Sequence, residues 1–243
     1  MGTIVALGGG GDLFDCVRSC GELRKVKKAV YIGFATDSPE QGYRDMKKDA
    51  EERFGIMLEH LSPELAFSEQ EKAAEMLLNT DLIYVDGGNT IKLIKTLRDS
   101  GTDRILKRIY EETDIILSGA SAGAICWCKY GNSDSRSFPG NEGKRARVSG
   151  LGILDILYCP HALWDTYRPN DLKQTMKHTF GIPAVAVDGA ALIVHNGMFK
   201  AVALLDFHIA YKSYWDHGQY AMENIISDEY LPLEALTRKG PVR

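Results

Sequence analysis

The sequence has no apolar run of 18 residues, no Cys-x-x-Cys pair and no extended cluster of lysine and arginine. The first lack leaves nothing long enough to span a membrane as a helix. The chain instead enters directly on Thr3-Ile4-Val5-Ala6-Leu7, which reads as a strand rather than a signal peptide, so the expected compartment is the cytoplasm. The five cysteines are Cys16, Cys20, Cys126, Cys128 and Cys159. An odd number with no Cys-x-x-Cys argues against a disulfide framework and against a zinc ribbon. Net charge is -4, and the longest basic piece is Arg24-Lys25-Val26-Lys27-Lys28. Nucleic acid and anionic membrane are therefore not expected partners. A nucleotide fingerprint is missing too. Gly8 to Gly11 follow the first strand, but Leu13 and Phe14 stand where a third Rossmann glycine is due, and no Walker lysine follows. The run reads as a loop where another backbone passes closely.

What is present is an ordinary globular composition, 44% hydrophobic and 26% charged over 243 residues. That suits a single α/β domain spanning 1–243. Apolar strand runs alternate with helical patterns. The strands are Thr3–Leu7, Ala29–Phe34, Ile56–Leu61, Asp81–Val85 and Asp114–Leu117. The helices are Asp12–Leu23, Gln41–Phe54, a segment capped by Ser68 with Glu71 as a capping box, one through Leu93 and Leu97, and Arg104–Glu112. Such alternation predicts a mostly parallel sheet covered on both faces, with ligands outside the carboxyl ends of the strands. Residues 129–149 are polar and read as one long loop, a candidate lid. Strand-like runs return at Leu151–Cys159 and Ala184–Val187. Asn196-Gly197 between two apolar runs predicts a tight antiparallel hairpin. The tail from Asp206 fits no single pattern.

The most informative stretch is Leu117-Ser118-Gly119-Ala120-Ser121-Ala122-Gly123-Ala124. It is a Gly-x-Ser-x-Gly between a buried strand and a helix start, the context of a nucleophile elbow. A serine so placed stands beside free helix N-terminal N–H groups able to hold an oxyanion. It needs a base and an orienting carboxylate. Of six histidines, His161 follows an apolar run and a proline, at the same kind of strand end. Two aspartates compete for the acid. Asp188 closes a strand and is preferred; Asp134 lies in the polar loop; Asp155 and Asp165 rank below both. Gly88, in a second strand-to-helix turn, and Ala122 are the expected oxyanion donors.

Taken together, Gly87-Gly88-Asn89-Thr90, Gly119-Ala120-Ser121-Ala122-Gly123-Ala124 and Pro160-His161 resemble the peptidase E (aspartyl dipeptidase) and cyanophycinase family of serine peptidases. The resemblance runs from about Thr3 to Leu205. It implies a three-layer α/β sandwich with a mostly parallel central sheet, class I glutamine amidotransferase-like (flavodoxin-like). It also implies a triad in which Ser121 is the nucleophile, His161 the base and an acid the third member, with Gly88 in the oxyanion hole. The family acid is a glutamate where Asp188 stands here, and Asp86 occupies a turn position that is glycine in some members. Short peptides, cleaved after aspartate, are the implied substrates, and the implied acyl transfer requires no metal or organic cofactor. Lys129, Arg136 and Arg168 are available cations, none of them singled out. An esterase or amidase using the same elbow, and a non-catalytic binding protein of this fold, remain as alternatives. A homodimer is compatible with this reading; the sequence does not fix the oligomeric state.

Overall fold

Five strands with uninterrupted apolar runs form the heart of the molecule: β1 (Thr3–Leu7), β2 (Lys28–Ile32), β3 (Met57–Leu61), β4 (Leu82–Val85) and β5 (Ile116–Ala120). In the computed structural model, which describes residues 2–9, 26–136, 145–163 and 167–242, they lie parallel in the order β1-β5-β4-β2-β3. The runs are unbroken because both faces of the sheet are covered, as parallel strands require. On one face, Val5, Leu7, Tyr31 and Tyr84 pack with Ala50, Tyr43, Met46 and Phe54 of α1 (Pro39–Phe54). On the other, Ile4, Ala6, Val30, Ile83 and Leu117 meet three further helices: α3 (Gln70–Leu78), α4 (Thr90–Asp99) and α5 (Thr102–Glu112). The short α2 (Pro63–Ser68) leads into α3.

The sheet is extended by antiparallel strands β10 (Ala190–His195), β11 (Met198–Ala203) and β14 (Leu231–Pro232). The β10–β11 turn is the Asn196-Gly197 hairpin, both residues at positive φ (48° and 73°), as a primed two-residue turn demands. After the elbow and α6 (Ala122–Cys126) the chain builds a second sheet. Its six strands run β13-β12-β9-β8-β6-β7: β6 (Cys128–Ser133), β7 (Ala146–Ser149), β8 (Leu154–Pro160), β9 (Ala184–Asp188), β12 (Ile209–Asp216) and β13 (Gln219–Asn224). Its inner face, with Ile156, Tyr158, Val185 and Val187, shares one core cluster with the first sheet. Its outer face is closed by Leu172 and Met176 of α7 (Arg168–Lys177). The chain ends with the one-turn α8 (Leu233–Thr237). One core cluster thus joins both sheets.

Three expectations change. Residues 129–149 are not one loop, because β6 takes up their start and β7 their end; the cue was masked by polar residues on strands at a sheet margin. Ser68 does not cap a helix. It closes α2, bonding back to Glu64 O at 2.8 Å, while Ser62 caps α2 by accepting from Leu65 N. The ambiguous tail supplies β12 and β13, whose apolar and polar residues alternate only in part. The helix expected over Asp12–Leu23, together with Cys16, Cys20, Gly10, Gly11, Asp165 and residues 137–144, lies outside the described residues. Among the described residues no helix is long and apolar enough to cross a membrane.

Candidate active site

The register of the two sheets decides what meets at their carboxyl ends. In the first, Leu7 pairs with Ala120 and Val85 with Gly119, so Gly8, Ser121 and the Asp86-Gly87-Gly88 turn leave from the same edge. In the second, Pro160 pairs with Val187, so His161 and Asp188 leave side by side. The two edges face each other.

Ser121 sits between β5 and α6 at φ 53°, ψ -109°. A serine rarely occupies this region, and the strain is typical of a nucleophile elbow. Close packing makes it possible: a Cβ on Gly123 would come within 3.2 Å of Asp86 O and still closer to the Val85 carbonyl. His161 also has positive φ, 56°. Its Nε2 lies 2.9 Å from Ser121 Oγ.

Asp188 is 3% exposed. Its carboxylate accepts from Leu163 N at 2.8 Å and Gly189 N at 3.0 Å. Gly9 brings the aspartate and the histidine together. A Cβ there would strike the His161 ring, 2.7 Å from Cε1, and would stand 3.1 Å from Asp188 Oδ1. Neighbouring Gly8 accepts His161 N–H at 2.7 Å, and Gly9 O accepts Gly189 N–H at 2.9 Å. A side chain on Gly8 would run into the Val187–Asp188 peptide. Gly8 and Gly9 thus make the close approach their sequence suggests, and the backbone they approach is the one that carries the histidine and the aspartate. Sequence reasoning did not link them to the site; their position directly after β1 was the available signal.

Burial, and then the Arg168 guanidinium, push the His161 imidazole below the usual histidine range, while Asp188 and Asp134 pull the other way. Asp134 is drawn to Arg168 instead, with Nη2 to Oδ2 at 3.2 Å, and half exposed. The buried Arg168 also donates to Pro160 O at 2.8 Å and Asn132 O at 3.4 Å, tying the end of β8 to the end of β6. Nothing in its sequence surroundings marked it for that structural part. Asp155 pairs with Lys129 at 3.0 Å on the exposed side of the second sheet, away from the histidine's hydrogen bonds.

The Gly87-Gly88 turn borders the serine: a Cβ on Gly87 would lie 3.4 Å from Ser121 Cβ. Gly87 N–H is taken by Asp86 Oδ1 at 2.7 Å. Ala122 opens α6, where first-turn N–H groups lack intrahelical acceptors. Cys126 and Cys128 are fully buried behind the elbow, and burial pushes both thiols up, which makes them packing residues and not nucleophiles.

Comparison with known proteins agrees with this architecture. A family model described as Peptidase family S51 matches residues 6–202. The chain belongs to this peptidase E-like family. It is 33% identical over 129 residues to the uncharacterized peptidase YgaJ of Bacillus subtilis (strain 168), covering 52% of this chain and 53% of that one. It is 27% identical over 120 residues to the uncharacterized peptidase Lin0382 of Listeria innocua, covering 49% and 56%. The matches thus span about half the length of these curated relatives. Among solved structures, a peptidase from an acI-B1 Actinobacterium superposes with TM-score 0.69 at 17% identity, over 96% of this chain and 97% of that one. A putative peptidase E protein from Listeria monocytogenes EGD-e superposes with TM-score 0.61 at 20% identity, over 84% and 100%. At these identities the likeness is one of fold.

Proposed function

We propose that the protein is a working serine peptidase that hydrolyses short peptides through an acyl-enzyme, with Ser121 as nucleophile, His161 as base and Asp188 as the acid. The carrying observation is the 2.9 Å contact of His161 Nε2 with an Oγ held on a strained elbow. As Ser121 Oγ bonds to the substrate carbonyl carbon, its proton passes to His161 Nε2. The carbonyl oxygen becomes an oxyanion, met by N–H groups of Gly88 and Ala122. Collapse breaks the C–N bond, and the amine leaves with the proton from His161. Water then loses a proton to His161 and attacks the ester, and as the C–O bond breaks Ser121 Oγ takes that proton back from His161. Asp188, buried against the same glycine loop as the imidazole, favours the imidazolium formed in each half. Its competitor Asp134 is committed to Arg168 and more exposed.

The substrate class follows the peptidase E likeness: dipeptides and short peptides, with aspartate before the cleaved bond. The test is hydrolysis of a dipeptide library rich in N-terminal aspartate by wild type and Ser121→Ala. Cleavage by wild type, lost by at least a thousandfold in the variant, is the expected result. Cleavage of p-nitrophenyl esters but of no peptide would replace the peptidase reading with an esterase one.

A further inference from the structure

A carboxylate next to an oxyanion hole works against the charge that forms there, so Asp86 calls for an explanation. Its surroundings supply one. Tyr31, Tyr84 and His60 are in register on three neighbouring parallel strands, one residue below the carboxyl edge. Tyr31 is 1% exposed and donates its hydroxyl to Asp86 Oδ2 at 2.6 Å; Tyr84 reaches Oδ1 at 3.4 Å. Burial and the Asp86 charge push the Tyr31 phenol upward, so it remains a donor. Helix α1 closes over the pair at Gly42, where a Cβ would collide with the Tyr31 hydroxyl and lie 3.1 Å from Asp86 Oδ2. The carboxylate so fixed takes the Gly87 N–H. The turn is pinned on both sides as well: Asp86 N–H donates to Ile32 O and Asn89 N–H to Ala35 O, each at 2.9 Å. Gly88, at φ 131°, is pressed against the Ala35 carbonyl. With Gly87 N–H turned back on Asp86, the Gly88 N–H is the donor the turn has left to offer.

We propose that Asp86, held by Tyr31, is a positioning residue that fixes the Gly87-Gly88 peptide and thereby selects Gly88 as the amide offered to the oxyanion on Ser121. This rests on the serine peptidase reading. It goes beyond that reading by assigning work to an aspartate and a tyrosine that touch no substrate. An interaction realised only when the oxyanion forms acts on kcat and not on KM.

The experiment compares wild type with Ser121→Ala, Asp86→Ala, Asp86→Asn and Tyr31→Phe on the best dipeptide substrate, alongside thermal melts. Binding of a peptide aldehyde, which forms a tetrahedral oxyanion, is measured with binding of the matching product. The expected result for Asp86→Ala is a loss of about ten- to a hundredfold in kcat, with KM within about twofold. Aldehyde binding weakens by the same factor and product binding does not change. Asp86→Asn keeps an oxygen for the Gly87 N–H and sheds the charge, so it holds kcat at or above wild type. Tyr31→Phe loses about three- to tenfold in kcat, less than Asp86→Ala, because the Gly87 bond survives. The inference is overturned if Asp86→Ala keeps wild-type kcat while Ser121→Ala is dead, an outcome that leaves the peptidase reading standing. It is equally overturned if Asp86→Asn falls as far as Asp86→Ala, or if KM and product binding take the loss. Full activity of Ser121→Ala removes the serine peptidase reading and this inference with it.

Discussion

The two sheets contribute to the site in different ways. The first, five parallel strands deep, delivers backbone: a strained serine, glycine turns and main-chain N–H groups. The second delivers ionisable side chains, His161 and Asp188, and the cation Arg168 that pushes the imidazole down. The lesson is a separation of demands. In the proposed mechanism the oxyanion donors must not move, and they sit in turns at the carboxyl edge of the buried parallel sheet. Proton carriers need tuning by charge, so they stand where buried and half-exposed ionisable groups gather.

Substitutions can test this division. The largest effect is expected from Asp188→Asn. If the second sheet's carboxylate sustains the imidazolium, kcat falls by about a thousandfold or more, while Asp134→Asn, whose partner is Arg168, costs less than about tenfold. A reversal of that order in steady-state kinetics would hand the role to Asp134. Next comes Gly9→Ala at the joint. The added methyl meets the His161 ring and φ is 138°, so kcat should drop about tenfold to a hundredfold, with about 1–3 kcal/mol lost in denaturant unfolding.

These two experiments also mark the limit of what the residues disclose. Ser121, His161 and Gly88 can be read from the chain because each follows an apolar run, and a strand end is visible in one dimension. The hairpin at Asn196-Gly197 is visible for the same local reason. That the strands divide between two sheets is not visible, because β8 and β9 are as apolar as β1 and β4, and apolarity reports burial without naming the neighbour. The alliance of Gly8 and Gly9 with His161 and Asp188 joins residues about 150 or more positions apart in one sequence, and only β-sheet register brings them together. Asp86 had two open readings, site or solvent. Its two tyrosine partners lie on different strands, which spacing alone does not pair.

A smaller effect concerns pH. In the proposed mechanism a neutral His161 is the active form, and its imidazole lies below the usual histidine range. The acid limb of kcat/KM should therefore fall below pH 6.5, the ordinary histidine value. Asp188 raises the imidazole, so the residual activity of Asp188→Asn should carry its limb to still lower pH; a limb moving upward in the pH–rate profile would contradict the assigned electrostatics. The smallest effect belongs to Asp155→Asn. Its pair with Lys129 is exposed, so the melting curve should stay close to wild type and activity should change by less than about twofold. A larger loss would mean that the second sheet's outer face takes part in the chemistry.

Beside the Tyr158 hydroxyl bond to Ala6 O, two bonds dock the second sheet onto the tip of β1 main chain to main chain, from His161 N to Gly8 O and from Gly189 N to Gly9 O. No side chain encodes these two. Divergence can therefore rewrite much of the second sheet without loosening the seat of the histidine, whereas at Gly8 and Gly9 even the smallest added side chain collides. The chain's evolutionary freedom is thus uneven: wide across a whole sheet and nearly nil at two adjacent atoms' worth of space.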